Sequence, residues 1–137
     1  MTLTTAQLDR AVGVLLGTAA GDALGAAYEF GPPRGPALEV AMVGGGSFGW
    51  QPGEWTDDTS MAIALAEVAA TGTDLREEEA LDALVRRWHE WSQRANDVGV
   101  QTRSVLSRAG RHGISAQTAR AESADSQIQT LHLRRKR

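Results

Sequence analysis

Glycine recurs at positions 13, 17, 21 and 25, inside one apolar run from Ala11 to Ala27. The run follows Thr4-Thr5-Ala6-Gln7, which has the form of a capping box. Together these predict a helix from about Thr5 to Tyr28. Four-residue spacing sets all four glycines near one face of that helix. Each costs about 1 kcal/mol of helix propensity relative to alanine. A stripe of them therefore calls for another backbone, or a ligand, passing close by. Asp22 and Glu29 are seven residues apart and share a face about two turns apart.

The same run raises the question of a membrane. It is shorter than the roughly 20 residues a span needs, and it contains Asp22. An unpaired carboxylate in lipid costs about 2.5–3.5 kcal/mol on insertion scales. No basic segment precedes it in the manner of a signal peptide. The reading is a buried helix, no membrane partner and a cytoplasmic setting. The chain has no cysteine, so disulfides, thiolate metal sites and a cysteine nucleophile are excluded. Any metal must be held by oxygen or imidazole. Residues 1–110 carry 8 basic and 15 acidic side chains, net −7, while 111–137 carry 6 and 2, net +4. The acidic body argues against nucleic-acid binding.

Residues 31–55 read as loop, because Gly31-Pro32-Pro33, Gly35-Pro36, Gly44-Gly45-Gly46 and Pro52-Gly53 interrupt regular structure. Leu38 to Val43 is a candidate short strand. A helix is predicted from Asp57 or Asp58 to about Ala70, with Met61, Ala64, Leu65 and Val68 inward and Gly72 just past its end. Asp74-Leu75-Arg76-Glu77 has a capping-box pattern, and Leu81, Leu84, Val85 and Trp88 follow an amphipathic period. A further helix is predicted over about Val98 to Ala109. Trp88 and Trp91 read as core or interface residues, and His89, His112 and His132 as surface residues. From Arg111 the apolar pattern fails, and the end, Leu133-Arg134-Arg135-Lys136-Arg137, is basic. The class is all-α, helices joined by loops. Its domain is placed at 1–110, with a poorly ordered basic tail at 111–137.

Glu54-Trp55-Thr56-Asp57-Asp58-Thr59 is the densest chemical feature. Thr and Asp cap helices, worth about 0.5–2 kcal/mol, and acidic groups in a first turn offset the helix dipole. One such residue suffices to cap, however. Adjacent carboxylates repel unless a cation lies between them, and carboxylate, hydroxyl and water form a hard-cation set. From these residues alone, cap and metal site both stand. Gly44-Gly45-Gly46-Ser47 reads either as a flexible loop or as a phosphate cradle of backbone N–H groups. Trp50 and Trp55 flank the acidic motif and would line a pocket or cover a core edge.

The succession Gly17-Thr18-Ala19-Ala20-Gly21-Asp22-Ala23-Leu24-Gly25, then Glu29, then Pro52-Gly53-Glu54-Trp55-Thr56-Asp57-Asp58-Thr59-Ser60-Met61, then Asp97-Val98-Gly99-Val100-Gln101-Thr102-Arg103 resembles the start of the ADP-ribosylglycohydrolase family. That family includes the dinitrogenase reductase-activating glycohydrolases. The resemblance covers about residues 10–110. It implies an all-α, orthogonal helical bundle with a binuclear Mg²⁺ or Mn²⁺ centre, with Thr56, Asp57 and Asp58 as the first metal motif and Glu29 as the glutamate beside the scissile bond. It also brings Gly45, Gly46 and Ser47 forward as substrate-binding. The implied reaction is hydrolysis of the glycosidic bond joining ADP-ribose to a protein side chain or a small molecule. The implied partner is an ADP-ribosylated protein or an ADP-ribose-like ligand. The family's second metal motif, Asp-x-Asp followed by Thr or Ser, does not occur after residue 59. The expectation is thus the N-terminal part of such a domain, with activity impaired. The alternatives are a non-catalytic ADP-ribose and metal binder, or an inactive family fragment.

Overall fold

A computed structural model describes residues 3–33 and 35–134, and side chains as far as residue 126. The elements are α1 (Thr5–Gly25), a 3₁₀ turn (Ala26–Tyr28), α2 (Asp57–Ala70), α3 (Glu78–Ser92), α4 (Val100–His112) and α5 (Ala116–Arg134). Every regular element among the described residues is helical, so the class is all-α. The chain divides into two compact units, Met1–Ile63 and Ala64–Arg137, and the division falls inside α2.

In the first unit α1 opens on the predicted capping box. Gln7 donates its backbone N–H to Thr4 Oγ1 at 3.3 Å, and Thr4 N donates to Gln7 Oε1 at 2.8 Å. Ala23 and Ala26 are buried, while Leu8, Val12, Val14, Leu15 and Leu16 are exposed. The glycine stripe meets no neighbour: nothing lies within 4 Å of where a Cβ would stand at Gly13, Gly17, Gly21 or Gly25. The close backbone approach predicted for it is absent among the described residues. The stretch from Thr5 to Tyr28 does have the length and hydropathy of a membrane span. By length and composition it exceeds the apolar run read from sequence.

Leu38–Val43 does not form a strand. Its backbone is occupied otherwise: Tyr28 Oη donates to Ala41 O at 2.7 Å and accepts from Ala41 N at 3.1 Å. Further on, Gly45 and Trp50 pair as an isolated antiparallel bridge, with N–H to O distances of 2.7 and 2.8 Å. Gly44 precedes it at φ +69°, where a Cβ would stand 2.5 Å from Trp50 O. Only glycine fits there.

The second unit is built on two small clusters. Ala64, Val68, Ala80 and Leu84 form one, with Leu75, Ala83 and Trp88 against it. Val85, Leu106 and Ala116 form the other, with Leu81, Trp88, Ile114 and Ala119. Trp88 joins both, as the amphipathic period of α3 predicts. The capping box at Asp74 is not made. Asp74 instead pairs with Arg76 at 2.6 Å in the turn before α3, and Glu77 occupies the N-cap without a side-chain bond. Leu65 is exposed rather than inward.

Beyond Arg111, where the sequence pattern suggested little order, the described stretch is helical. Gly113 ends α4 at φ 109°, Ser115 Oγ accepts from Thr118 N at 3.1 Å, and α5 follows. Asp82 on α3 accepts from Ala116 N at 2.7 Å, and Arg120 reaches Glu78 at 2.6 Å. The side chains of the terminal basic cluster, and His132, lie outside the described residues. His89 is also corrected: it is half-buried, and a Cβ at Gly110 would come within 2.5 Å of its Nε2. His112 is exposed but bonded to Glu122 at 2.8 Å.

Candidate active site

The site lies within the first unit and begins at Asp22, near the C-terminal end of α1. Its carboxylate accepts four hydrogen bonds from the start of α2. Oδ1 takes Thr56 Oγ1–H at 2.7 Å, and Oδ2 takes Thr56 N–H at 2.9 Å, Thr59 N–H at 3.0 Å and Thr59 Oγ1–H at 2.6 Å. Burial acts to raise the Asp22 pKa. The hydrogen bonds from Thr59 and Thr56 outweigh it and hold the carboxyl below its ordinary value of 3.8. Asp22 therefore enters neutral solution as an anion.

This arrangement changes the meaning of the acidic motif. Ser60 N donates to Thr56 O at 3.2 Å, which makes Thr56 the N-cap and Thr59 the third helical residue of α2. An N-cap side chain ordinarily accepts the N–H of that third residue. Here Asp22, from another helix, takes it. The Thr56 hydroxyl is thereby released from capping and donates its proton to Asp22. Asp57 and Asp58 sit in the first turn, where the helix dipole favours negative charge.

Thr56, Asp57 and Asp58 line one cavity of about 640 Å³, together with Thr18, Gly21, Asp22, Gly25, Ala26, Tyr28 and Glu29. The sequence-predicted metal residues and the predicted catalytic glutamate therefore share a wall. Thr56 is buried, Asp57 half-buried, and Asp58 and Glu29 exposed. The glycine stripe contributes Gly21 and Gly25, so its lower half faces a cavity rather than a helix. Glu29 is extended, and Phe30 after it has φ +63°. That is an uncommon conformation for an aromatic residue, and it turns the chain away directly behind the carboxylate. Phe30 meets Phe48 edge to face and Phe48 meets Trp50 at a tilt, with centroids 6.3 and 5.7 Å apart.

Gly45, Gly46 and Ser47 are not among the residues lining this cavity. Gly46 backs onto Ala27, whose carbonyl oxygen would be 3.0 Å from a Cβ. Sequence reasoning placed Thr59 in the acidic motif but paired neither it nor Thr56 with Asp22. The spacing of three between Thr56 and Thr59 marks an N-cap and third helical residue, but it carries no sign of the outside carboxylate that both donate to.

The donors are all hard oxygen groups, which suits Mg²⁺ or Mn²⁺ in kind. In number they are a partial set: among the described residues no three His, Asp or Glu side chains stand together closely enough to hold an ion.

A profile described as ADP-ribosylglycohydrolase matches residues 3–131. The chain belongs to that family. The match continues past residue 110 into α5, so the ADP-ribosylglycohydrolase sequence pattern covers nearly all of the chain. Among characterised proteins the chain is similar to ADP-ribosylarginine hydrolase Tri1 of Serratia proteamaculans, 44% identical over 79% of this chain and 30% of the relative. The protein of the same name from Pseudomonas putida is 44% identical over 85% of this chain and 32% of its own length. The ADP-ribosyl-[dinitrogen reductase] glycohydrolase of Rhodospirillum rubrum is 46% identical over 53% of this chain and 28% of its own. The chain thus spans about a third of the length of these ADP-ribosylglycohydrolase relatives.

Proposed function

We propose that the cavity is part of a metal-assisted hydrolase site for the glycosidic bond between ADP-ribose and a protein side chain. The observation that carries this reading is the shared wall of Glu29, Thr56, Asp57 and Asp58, in a member of this family. The names of the relatives, an ADP-ribosylarginine hydrolase and an ADP-ribosyl-[dinitrogen reductase] glycohydrolase, support a modified protein as the substrate.

In this reading Thr56, Asp57 and Asp58 hold Mg²⁺ or Mn²⁺, and waters or further protein groups complete the shell. A bound divalent ion supplies charge that orients ribose oxygens and lowers the pKa of water. In the reaction a water oxygen bonds to the anomeric ribose carbon. The bond from that carbon to the side-chain atom breaks with its electron pair, and a proton from water ends on the departing group. Positive charge builds on the ribose on the way. Glu29, on the cavity wall, orients the attacking water and offsets that charge. Asp22 lines the cavity too, but in this reading its four hydrogen bonds to Thr56 and Thr59 give it the task of holding the start of α2 rather than a part in the reaction.

The test is release of ADP-ribose from an ADP-ribosylarginyl protein, with Mn²⁺ or with chelator. Release should require metal and fall about 10²–10⁴-fold in Glu29→Gln. A second reading, a binder without turnover, is favoured by the partial donor set. ADP-ribose would then raise the Tm in the presence of Mn²⁺ while no product forms. If neither release nor stabilisation is seen, both readings are wrong for this chain.

A further inference from the structure

We infer that Asp22 is a positioning residue that fixes the Thr56 hydroxyl as a neutral oxygen donor facing the cavity. The inference rests on the proposed cation site and adds the device that prepares it.

A threonine hydroxyl has one proton and two lone pairs. At Thr56 that proton is aimed at Asp22 Oδ1, 2.7 Å away, while the alternative acceptor, Asp57 Oδ1, is at 3.4 Å. A charge-assisted bond at 2.7 Å outcompetes a neighbour that long. With the proton held on the Asp22 side, the remaining lone pairs are what Thr56 can present to a ligand. A cation requires that orientation, because a hydroxyl with its proton toward the ion repels it. The side chain that would ordinarily prevent this is Thr56 itself: as N-cap it would turn its oxygen inward to accept from the helix. Asp22 removes that demand by accepting from Thr59 N–H in its place. Both amide bonds to Oδ2 hold the carboxylate still. Thr59 Oγ1–H adds a third and leaves the cavity untouched, since Thr59 is buried and does not line it. The same four bonds set where the first turn of α2 begins, and so where Asp57 and Asp58 stand.

Asp22→Asn tests the device while keeping the shape. An amide has one acceptor oxygen and two N–H donors. One N–H then faces the Thr56 hydroxyl, which must accept and swing its proton away, toward the cavity. Mn²⁺ affinity, measured by calorimetry on the full chain, should drop about 10–100-fold, the usual range for a residue that orients a ligand. The backbone amide protons of Thr56 and Thr59 should move in the NMR spectrum, with the remaining spectrum retained. Thr59→Ala is the structural control: it removes one bond to Asp22 and should lower the Tm with Mn²⁺ affinity within about twofold of wild type. Thr56→Val removes the hydroxyl and keeps the amide bonds. It should lose Mn²⁺ as Asp22→Asn does, and the double variant should be no worse than either alone. This variant carries the test should Asp22→Asn not fold.

Three results overturn the inference. One is Asp22→Asn binding Mn²⁺ as wild type does. Another is Thr59→Ala and Asp22→Asn losing affinity together, in step with their Tm, which makes Asp22 structural only. The third is Thr56→Val keeping full affinity, which removes the ligand that Asp22 prepares. A wild-type chain that binds neither Mn²⁺ nor Mg²⁺ sinks the cation site itself and the inference with it. That failure is distinct from the other three, in all of which wild type binds.

Discussion

Two residues of similar chemistry play opposite parts around the cavity. Asp22 is a carboxylate that accepts four hydrogen bonds from the start of α2, while Asp58 is exposed on the cavity wall. Composition gives no hint of that difference; it follows from where the hydrogen-bond donors are. Gly110 gives a second case in which a single atom decides. Alanine at an interior helix position gains about 1 kcal/mol over glycine. Here the added methyl would meet His89 Nε2 at 2.5 Å, and His89 is half-buried. Gly110→Ala should therefore be neutral or destabilising in the wild-type background, by up to about 1–3 kcal/mol for an overpacked site. In a His89→Ala background the same change should stabilise by about 1 kcal/mol. Urea unfolding of the four chains checks this, and equal effects in both backgrounds would falsify the proposed collision. His89 looked like a surface residue from its sequence surroundings. Its neighbour was hidden because a missing side chain on α4 leaves no mark in the pattern of α3.

At the scale of elements, α1 to α4 were legible because their signals are local. The Thr4–Gln7 box is within one turn, and Leu81, Leu84, Val85 and Trp88 repeat on one face. The metal motif was legible as a helix start. Its partner was not, since Asp22 is 34 residues away from Thr56 and nothing in the sequence pairs them. The fifth helix was missed because it packs through Ala116 and Ala119 with Ile114, residues too small or too few to raise a period. The punctuation was present all the same, with Gly113 as a stop and Ser115 as a cap. What then holds α5 to α4 is partly ionic. Glu122 reaches Arg108 at 3.1 Å and His112 at 2.8 Å. The His112 bond is the main reason its pKa lies below the ordinary 4.5, against some desolvation and with help from Arg108. A depressed carboxyl pKa stabilises the fold above the unfolded value and loses that contribution as pH falls through the folded one. Glu122→Gln should therefore lower the Tm at pH 7. The gap to wild type should close as pH falls below about 4.5, the unfolded value. A gap of constant size from pH 7 to pH 3 would show that Glu122 acts by packing and not by charge.

For the molecule as a whole, the unusual quantity is apolar surface left open on α1. Val14 and Leu16 are 67% and 65% exposed, Leu8 is 54%, and Val12 and Leu15 are also open. Gly13 among them and Gly17 just beyond meet nothing within 4 Å, so this half of the helix is open to a second backbone. Within the first unit no described residue covers it, and open apolar surface of this kind favours association. Magnitudes set how tight that association is. Fully burying an aliphatic side chain is worth about 1.5–3 kcal/mol. Leu8, Val12, Leu15 and Leu16 share one side of the helix, and four side chains already about half covered offer on the order of 3–6 kcal/mol per chain. Association itself costs roughly 4–15 kcal/mol in lost freedom and ordering. The two are comparable, so contact through α1 should be weak and dependent on concentration. Sedimentation velocity over a hundredfold concentration range should show the wild-type chain moving from monomer to larger species. Leu8→Gln with Leu16→Gln should shift that transition to higher concentration and leave Mn²⁺ affinity unchanged, because neither residue lines the cavity. If the wild-type chain stays monomeric throughout, the face is covered or tolerated by some other means. If association persists undiminished in the double variant, it runs through a surface other than α1.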